Sequence, residues 1–192
     1  MKTTITYEEA RTLLDTYLKT EYLRFHSRES EVIMRALAKH LGQDEDFWGI
    51  TGLLHDLDLD EIGEDIQRHG IHTVELLKNA DYNIPKLFDA ILSHAEGIEG
   101  VIQKRETDFQ YILAGAESIT GLITAYVILR PEKKIDGVKV KSIMKKFKSP
   151  AFAAKVNRDF IRDAAEHAGM ELNEFIAISI EAMSTIADET GM

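Results

Sequence analysis

The 192-residue chain has no cysteine, only three prolines and a single tryptophan. Without cysteine there is no disulfide, no thiolate nucleophile and no sulfur-ligated zinc or iron–sulfur centre. Any metal must therefore take nitrogen from histidine or oxygen from Asp, Glu or the backbone. The opening residues, MKTTITYEEA, lack the apolar run of a secretory signal, so the expected location is cytoplasmic. Long hydrophobic runs are scarce too. One stands out, FQYILAGAESITGLITAYVIL at 109–129, 21 residues with Glu117 as their only charge. Its length would permit a membrane span. Gln110, Ser118, Thr120 and Thr124 dilute it, however, and no second span accompanies it, so a central helix buried on most sides is expected, with no membrane partner.

Basic charge is also in short supply. Lys and Arg number 23 against 33 Asp and Glu, a formal −10, which argues against a nonspecific nucleic-acid partner. The balance is uneven. Residues 130–148, RPEKKIDGVKVKSIMKKFK, hold eight basic and two acidic residues, a local +6. Within them Val140, Ile143, Met144 and Phe147 form one apolar face of a helix and the lysines the other, as in a docked helix with a solvated side.

What is present reads as all-helical. Thr6 and Glu9 make a capping box before YEEARTLLDTYLK. SEVIMRALAKHLG carries an apolar side of Val32, Ile33, Leu37 and Leu41, with Gly42 as its stop. Asp44 can cap EDFWGITGLLHD, and Pro85 can open PKLFDAILSHAE after a helix in HGIHTVELLKNA. Asn157 caps RDFIRDAAEHAG, and LNEFIAISIEAMSTIA closes the chain. A single domain is expected, with a core at about 20–125 and a C-terminal helical extension at about 138–190.

Seven histidines are spread over this pattern. His40 and His167 sit in last helical turns before Gly42 and Gly169, where the helix dipole suits them. His26 and His94 project among apolar neighbours. His55 and Asp56 follow Gly49 and Gly52 at spacings that place Gly49, Gly52 and Asp56 on one helix face. Each glycine costs roughly 1 kcal/mol in a helix interior relative to alanine, so close approach by another element is the expected gain. Two adjacent side chains diverge by about 100° around a helix and cannot enclose an ion unaided. Glu117 adds an independent argument, because a buried unpaired carboxylate is very costly and a cation would relieve it.

Taken in order, His26, His55-Asp56, His69-Gly70, His94 and Glu117 resemble the HD superfamily of metal-dependent phosphohydrolases. That family is named for a spaced His, a His-Asp pair and a distal Asp on a helical bundle. The His-Gly and the later His resemble the branch that binds two metals. The likeness spans roughly residues 20–125. The segments GLITAYVILRPEKK and VKSIMKKFKSPAFA are also similar to a group of short bacterial HD proteins described as predicted hydrolases.

The resemblance implies an all-α HD-domain bundle with added C-terminal helices. It implies that His26, His55, Asp56 and Glu117 form one metal site, with Asp56 bridging to a second metal held by His69 and His94. His55 and Asp56 would be central to catalysis. Glu117 departs from the family's Asp, and Asp108 is a weaker candidate for that role. His72 could stand in for His69. Asp58 and Asp60 are expected not to ligate directly but to support the ligands from behind or to mark the chain's exit toward solvent. One or two divalent ions are implied, with Fe, Mn, Ni, Co or Zn suiting an imidazole–carboxylate set and Mg possible. The implied reaction is hydrolysis of a small phosphorylated substrate or nucleotide by metal-activated water. Arg28, Lys104 and Arg105 are candidates for contacting its phosphate. Some HD proteins with a similar ligand set are di-iron oxygenases, and a noncatalytic ligand-binding protein is a third alternative.

Overall fold

The computed structural model describes all 192 residues and is all-α, with no strand beyond a single isolated bridge between Lys2 and Tyr82. In chain order the helices are α1 Tyr7–Tyr17, α2 Glu21–Leu41, α3 Glu45–Leu54, α4 Leu59–Ile62, a 3-10 turn Ile66–Arg68, α5 Ile71–Asn79 and α6 Pro85–His94. They continue with α7 Asp108–Ile128, α8 Val140–Phe147, α9 Arg158–His167, α10 Leu172–Ser184 and α11 Ala187–Thr190.

Local chemistry accounts for several boundaries. Thr6 and Glu9 form the capping box of α1, Asp44 accepts from Phe47 N to start α3, and Asn157 caps α9. Gly42 ends α2 in the left-handed conformation. Some boundaries differ from the expectation: α3 stops at Leu54, so Asp56 lies beyond the helix face that holds Gly49 and Gly52; the closing helix stops at Ser184; and α2 starts early. Helix α2 begins at Glu21, nine residues before SEVIMRALAKHLG, so His26 lies inside a helix. The residues leading into it are anchored from a distance: the backbone N–H groups of Lys19 and Thr20 and the Thr20 hydroxyl all donate to Asp60. Asp60 is thus tied to the bundle instead of marking an exit to solvent.

The apolar residues gather in two bodies. One joins Ile33, Met34 and Leu37 of α2 to Leu113, Ile119 and Leu122 of α7 and to Ile143, Ile161 and Phe175 of the C-terminal helices. The other lies among α1, α3, α5 and α6, around Leu14, Leu53, Leu54, Leu77 and Leu87. Helix α7 is long and apolar enough by composition to cross a membrane, yet most of it is buried inside the bundle.

Two close approaches set the positions of elements around the site. A Cβ at Gly52 would stand 2.8 Å from the Ser30 carbonyl oxygen, so α3 lies directly against α2. This is the close approach expected from the glycine spacing. A Cβ at Gly115 would stand 2.1 Å from the Ala164 Cβ and 2.7 Å from the Phe160 carbonyl oxygen, which lets α9 rest on the backbone of α7.

Candidate metal centre

Four imidazoles converge on one carboxylate. Asp56 lies in the turn after α3, and its Oδ2 stands 3.2 Å from His55 Nε2 and 3.3 Å from His26 Nε2. Its Oδ1 stands 3.3 Å from both His69 Nε2 and His94 Nε2. The two oxygens therefore face two separate pairs of rings. His55 is fully buried, while Asp56, His69 and His94 are nearly so. Glu117 approaches the first pair, its Oε2 3.9 Å from His26 Nε2. The donor atoms of His26, His55 and Glu117 lie within 4.8 Å of one another, as do those of His55, Asp56 and His94.

The tautomers follow from the outer hydrogen bonds. His55 Nδ1 donates to the Gly52 carbonyl at 2.8 Å, and His94 Nδ1 donates to the Ile91 carbonyl. His69 Nδ1 donates to Asp58 at 2.9 Å. The Thr120 hydroxyl donates to the Glu117 carbonyl, so the 2.8 Å contact with His26 needs Nδ1–H as donor. Every neutral ring then turns an Nε2 lone pair inward. Lone pairs facing each other at 3.3 Å (His26 and His55) and 3.0 Å (His69 and His94) repel unless a positive charge lies between them.

Titration points the same way. Burial opposes charging of His26, but the hydrogen bond to Asp56 and the charges of Asp56, Glu117 and Glu29 override it and hold the ring up at about 9. Burial likewise opposes a charge on His69, yet Asp56 and Asp58 raise it to about 10. For Asp56 the penalty of burial is outweighed by His55 and by hydrogen bonds from His26, His55 and His69, which hold the carboxyl well below its usual range. His94 is pushed down by burial. With Nδ1 already committed, added protons go to the inward Nε2 atoms, where a cation would sit. The donor set therefore fits a divalent metal with nitrogen and oxygen ligands.

Of the two places expected for Asp58, behind the ligands or at the exit to solvent, it takes the first. It is fully buried. Its carboxylate accepts from His69 Nδ1 and from the backbone N–H groups of Gly70 and Thr73. The chain turns inward there because these three donors need an acceptor. Gly70 explains the His-Gly pair. Its φ of +74° suits glycine, and a Cβ would stand 3.0 Å from the Ile91 carbonyl oxygen of α6.

Beside the imidazoles opens a cleft of about 370 Å³, lined among others by Glu117, Ser118, Glu96, Lys155, Asn157 and Phe160. Lys155 and Asn157 were not foreseen. The loop around them, SPAFAAKVN, shows no charge pattern or periodicity. The Arg158 guanidinium gathers the loop by donating to the carbonyls of Phe152, Ala153 and Val156. No carboxylate lies within ion-pairing distance of Lys155, so its ammonium is left to the cleft.

The three expected phosphate contacts fall elsewhere. Arg28 is buried and bound to Glu31, Glu189 and the Tyr7 hydroxyl, because α2 turns it away from His26. Lys104 is exposed on the 95–107 loop and does not line the cleft. Arg105 stands behind the wall, stacked 3.9 Å over Phe160 and paired at 3.2 Å with Glu96. His72 faces outward between Glu61 and Glu75, and Asp108 is held by His167 at 2.7 Å, away from the imidazoles.

A sequence model of the family described as HD domain matches residues 24–172. No curated protein and no solved structure matches the chain.

Proposed function

The chain belongs to the HD-domain family, and from that membership we propose a metal-dependent phosphohydrolase acting on a small phosphate ester or nucleotide. The observation that carries this reading is the division of Asp56 between two pairs of histidines, with an unpaired lysine across the adjoining cleft. His26, His55, Glu117 and Asp56 Oδ2 would hold one divalent ion; His69, His94 and Asp56 Oδ1 would hold another. Bound there, such ions supply an activated water and neutralise charge on phosphoryl oxygens.

The remaining work belongs to the chain itself. Asp56 joins the two donor groups. Asp58, Thr120 and the carbonyls of Gly52 and Ile91 keep the rings in the tautomer that presents Nε2. Lys155 draws a phosphoryl group into the cleft and orients it, while the Phe160 ring and the Ile98 side chain narrow the space left to water. Ser118 donates to Glu117 Oε1 at 2.7 Å and so fixes which carboxylate oxygen faces His26. A cation poised for an oxyanion favours phosphate chemistry over the oxygenase alternative.

The test is elemental analysis of protein purified without chelators, followed by phosphate release from a panel of phosphomonoesters and nucleotides with Mn, Co, Fe or Mg. Oxygen-independent release of phosphate is expected. Turnover that requires both iron and oxygen would replace this reading with the oxygenase one. Ligand binding without turnover under any metal would leave a noncatalytic binding protein.

A further inference from the structure

Four carboxylates lie buried in the bundle beside α2 and α3, and three have evident partners. Glu31 is bound by Arg28 and Arg35, Asp58 by His69 and two backbone N–H groups, and Asp56 by the imidazoles. Glu29 is the exception. It is 4 % exposed, and its one hydrogen bond is from the Thr124 hydroxyl at 3.2 Å. No Lys or Arg lies within ion-pairing distance. A buried carboxyl with so few partners is costly unless something else satisfies it.

Glu29 opens onto a cavity of about 420 Å³, separate from the metal cleft and lying on the other side of His26. The cavity runs between α2, α7 and the turn after α11. Its walls are chiefly apolar, with Leu23, Phe25, Val127 and Ile128 among them, and Glu29 and Thr124 supply convergent polar atoms. A mostly apolar enclosure of this size with a few aimed polar groups is the usual form of a small-molecule site. Burial raises the Glu29 carboxyl to about 7; above that pH its bare oxygen only accepts, and what fits it is a hydrogen-bond donor on an apolar body. Lys133 stands exposed at the rim and does not reach the carboxyl.

We propose that this cavity is a second binding site, taking a ring-sized apolar molecule that presents an N–H to Glu29. It is distinct from the metal centre, although His26 and Gly121 wall both spaces.

Three probes of one shape test it: benzylamine and benzamide, which carry an N–H, and benzyl methyl ether, which does not. Each is titrated into the full chain about one unit above the Glu29 value of about 7, where the carboxyl is ionised, and followed by backbone amide shifts. The expected result is movement of the Thr124, Thr190 and Gly191 amides with those of Lys155 and Asn157 unmoved. At least one nitrogen probe should bind about tenfold more tightly than the ether. Glu29→Leu should abolish that advantage while the ether still binds. Ile128→Trp, made at a residue 57 % exposed on the cavity mouth, should weaken all three and does not depend on the core tolerating a change at Glu29. Shifts confined to the metal cleft, equal affinity for ether and nitrogen probes, or an unchanged preference in Glu29→Leu would each overturn the proposal. None of these readouts involves turnover or metal, so failure here leaves the phosphohydrolase reading intact, and the converse also holds.

Discussion

The carboxylate of Asp58, fully buried, lies 2.9 Å from Nδ1 of His69 and accepts the proton that fixes the ring's tautomer. The same carboxylate holds the N–H groups of Gly70 and Thr73 at the start of α5, so the ring and its helix are positioned together. A metal-facing histidine oriented by a carboxylate is a more basic and better-aimed ligand.

Asp58→Ala should therefore weaken metal binding by about 10–100-fold while leaving the His26–His55 side able to load. A competition titration against a chromophoric chelator measures this. Asp60→Ala, a substitution two residues away that faces α2, should leave metal affinity where it was.

Removing a central donor should do more. His55→Ala and Asp56→Ala are each expected to lose bound metal and phosphate release together, whereas His72→Ala keeps both, since His72 is engaged with Glu61 and Glu75 on the surface. Elemental analysis of the three purified variants decides the matter; wild-type metal content in His55→Ala or Asp56→Ala would refute the site.

Lys155 and Arg28 should separate cleanly in kinetics and stability. Lys155→Ala should raise KM for a phosphorylated substrate with little change in melting temperature. Arg28→Ala leaves buried Glu31 with Arg35 alone and half-exposed Glu189 with Arg11 alone, and should cost about 1–3 kcal/mol of stability. Denaturant melts beside initial-rate measurements resolve the two.

Acid should loosen the start of α2. Burial disfavours the charged form of Asp60, but donation from Thr20 and Lys19 prevails and lowers its pKa in the fold. A lowered folded pKa means this contribution is complete above the unfolded value of about 3.9 and is lost as pH falls through the folded one. The stability gap between wild type and Asp60→Ala, about 1 kcal/mol near neutrality, should accordingly shrink as pH falls below about 3.9. Urea melts across pH 2 to 7 would show it; a gap independent of pH would count against the anchor.

Gly115→Ala should cost about 1–3 kcal/mol, because the added methyl would overlap Ala164 and press on the Phe160 carbonyl. Because α9 carries Phe160 and adjoins Lys155, KM should rise as well. Thermal unfolding and steady-state rates of the same preparation report both effects.

Much of this was legible in the sequence. Caps at Thr6, Asp44 and Asn157 act within a few residues, so they read directly, and the glycine spacing before His55 announced the approach of another element, though not that it would be α2. The order of histidines carried the family likeness. What stayed hidden depends on distant partners. Asp58 reads as a support for the ligands or as an exit to solvent until His69 is seen to fold back onto it. Lys155 gains its place only through Arg158 and the seating of α9 on Gly115. Arg28 sits two positions from His26, yet helical geometry sends it to Glu31 and Glu189. Glu29 gave no local signal, since its isolation is a property of the packed bundle.

The contact between His26 and Thr120 joins positions 94 apart in the chain, and Asp56 meets His94 across 38. An ion held by Asp56, His26 and His94 would be a reversible cross-link over loops that only the folded chain closes. Its hold on the native state would obey mass action, adding about 1.4 kcal/mol for every tenfold rise of free metal above the dissociation constant. The bundle's resistance to unfolding would then be a gauge of the metal concentration around it.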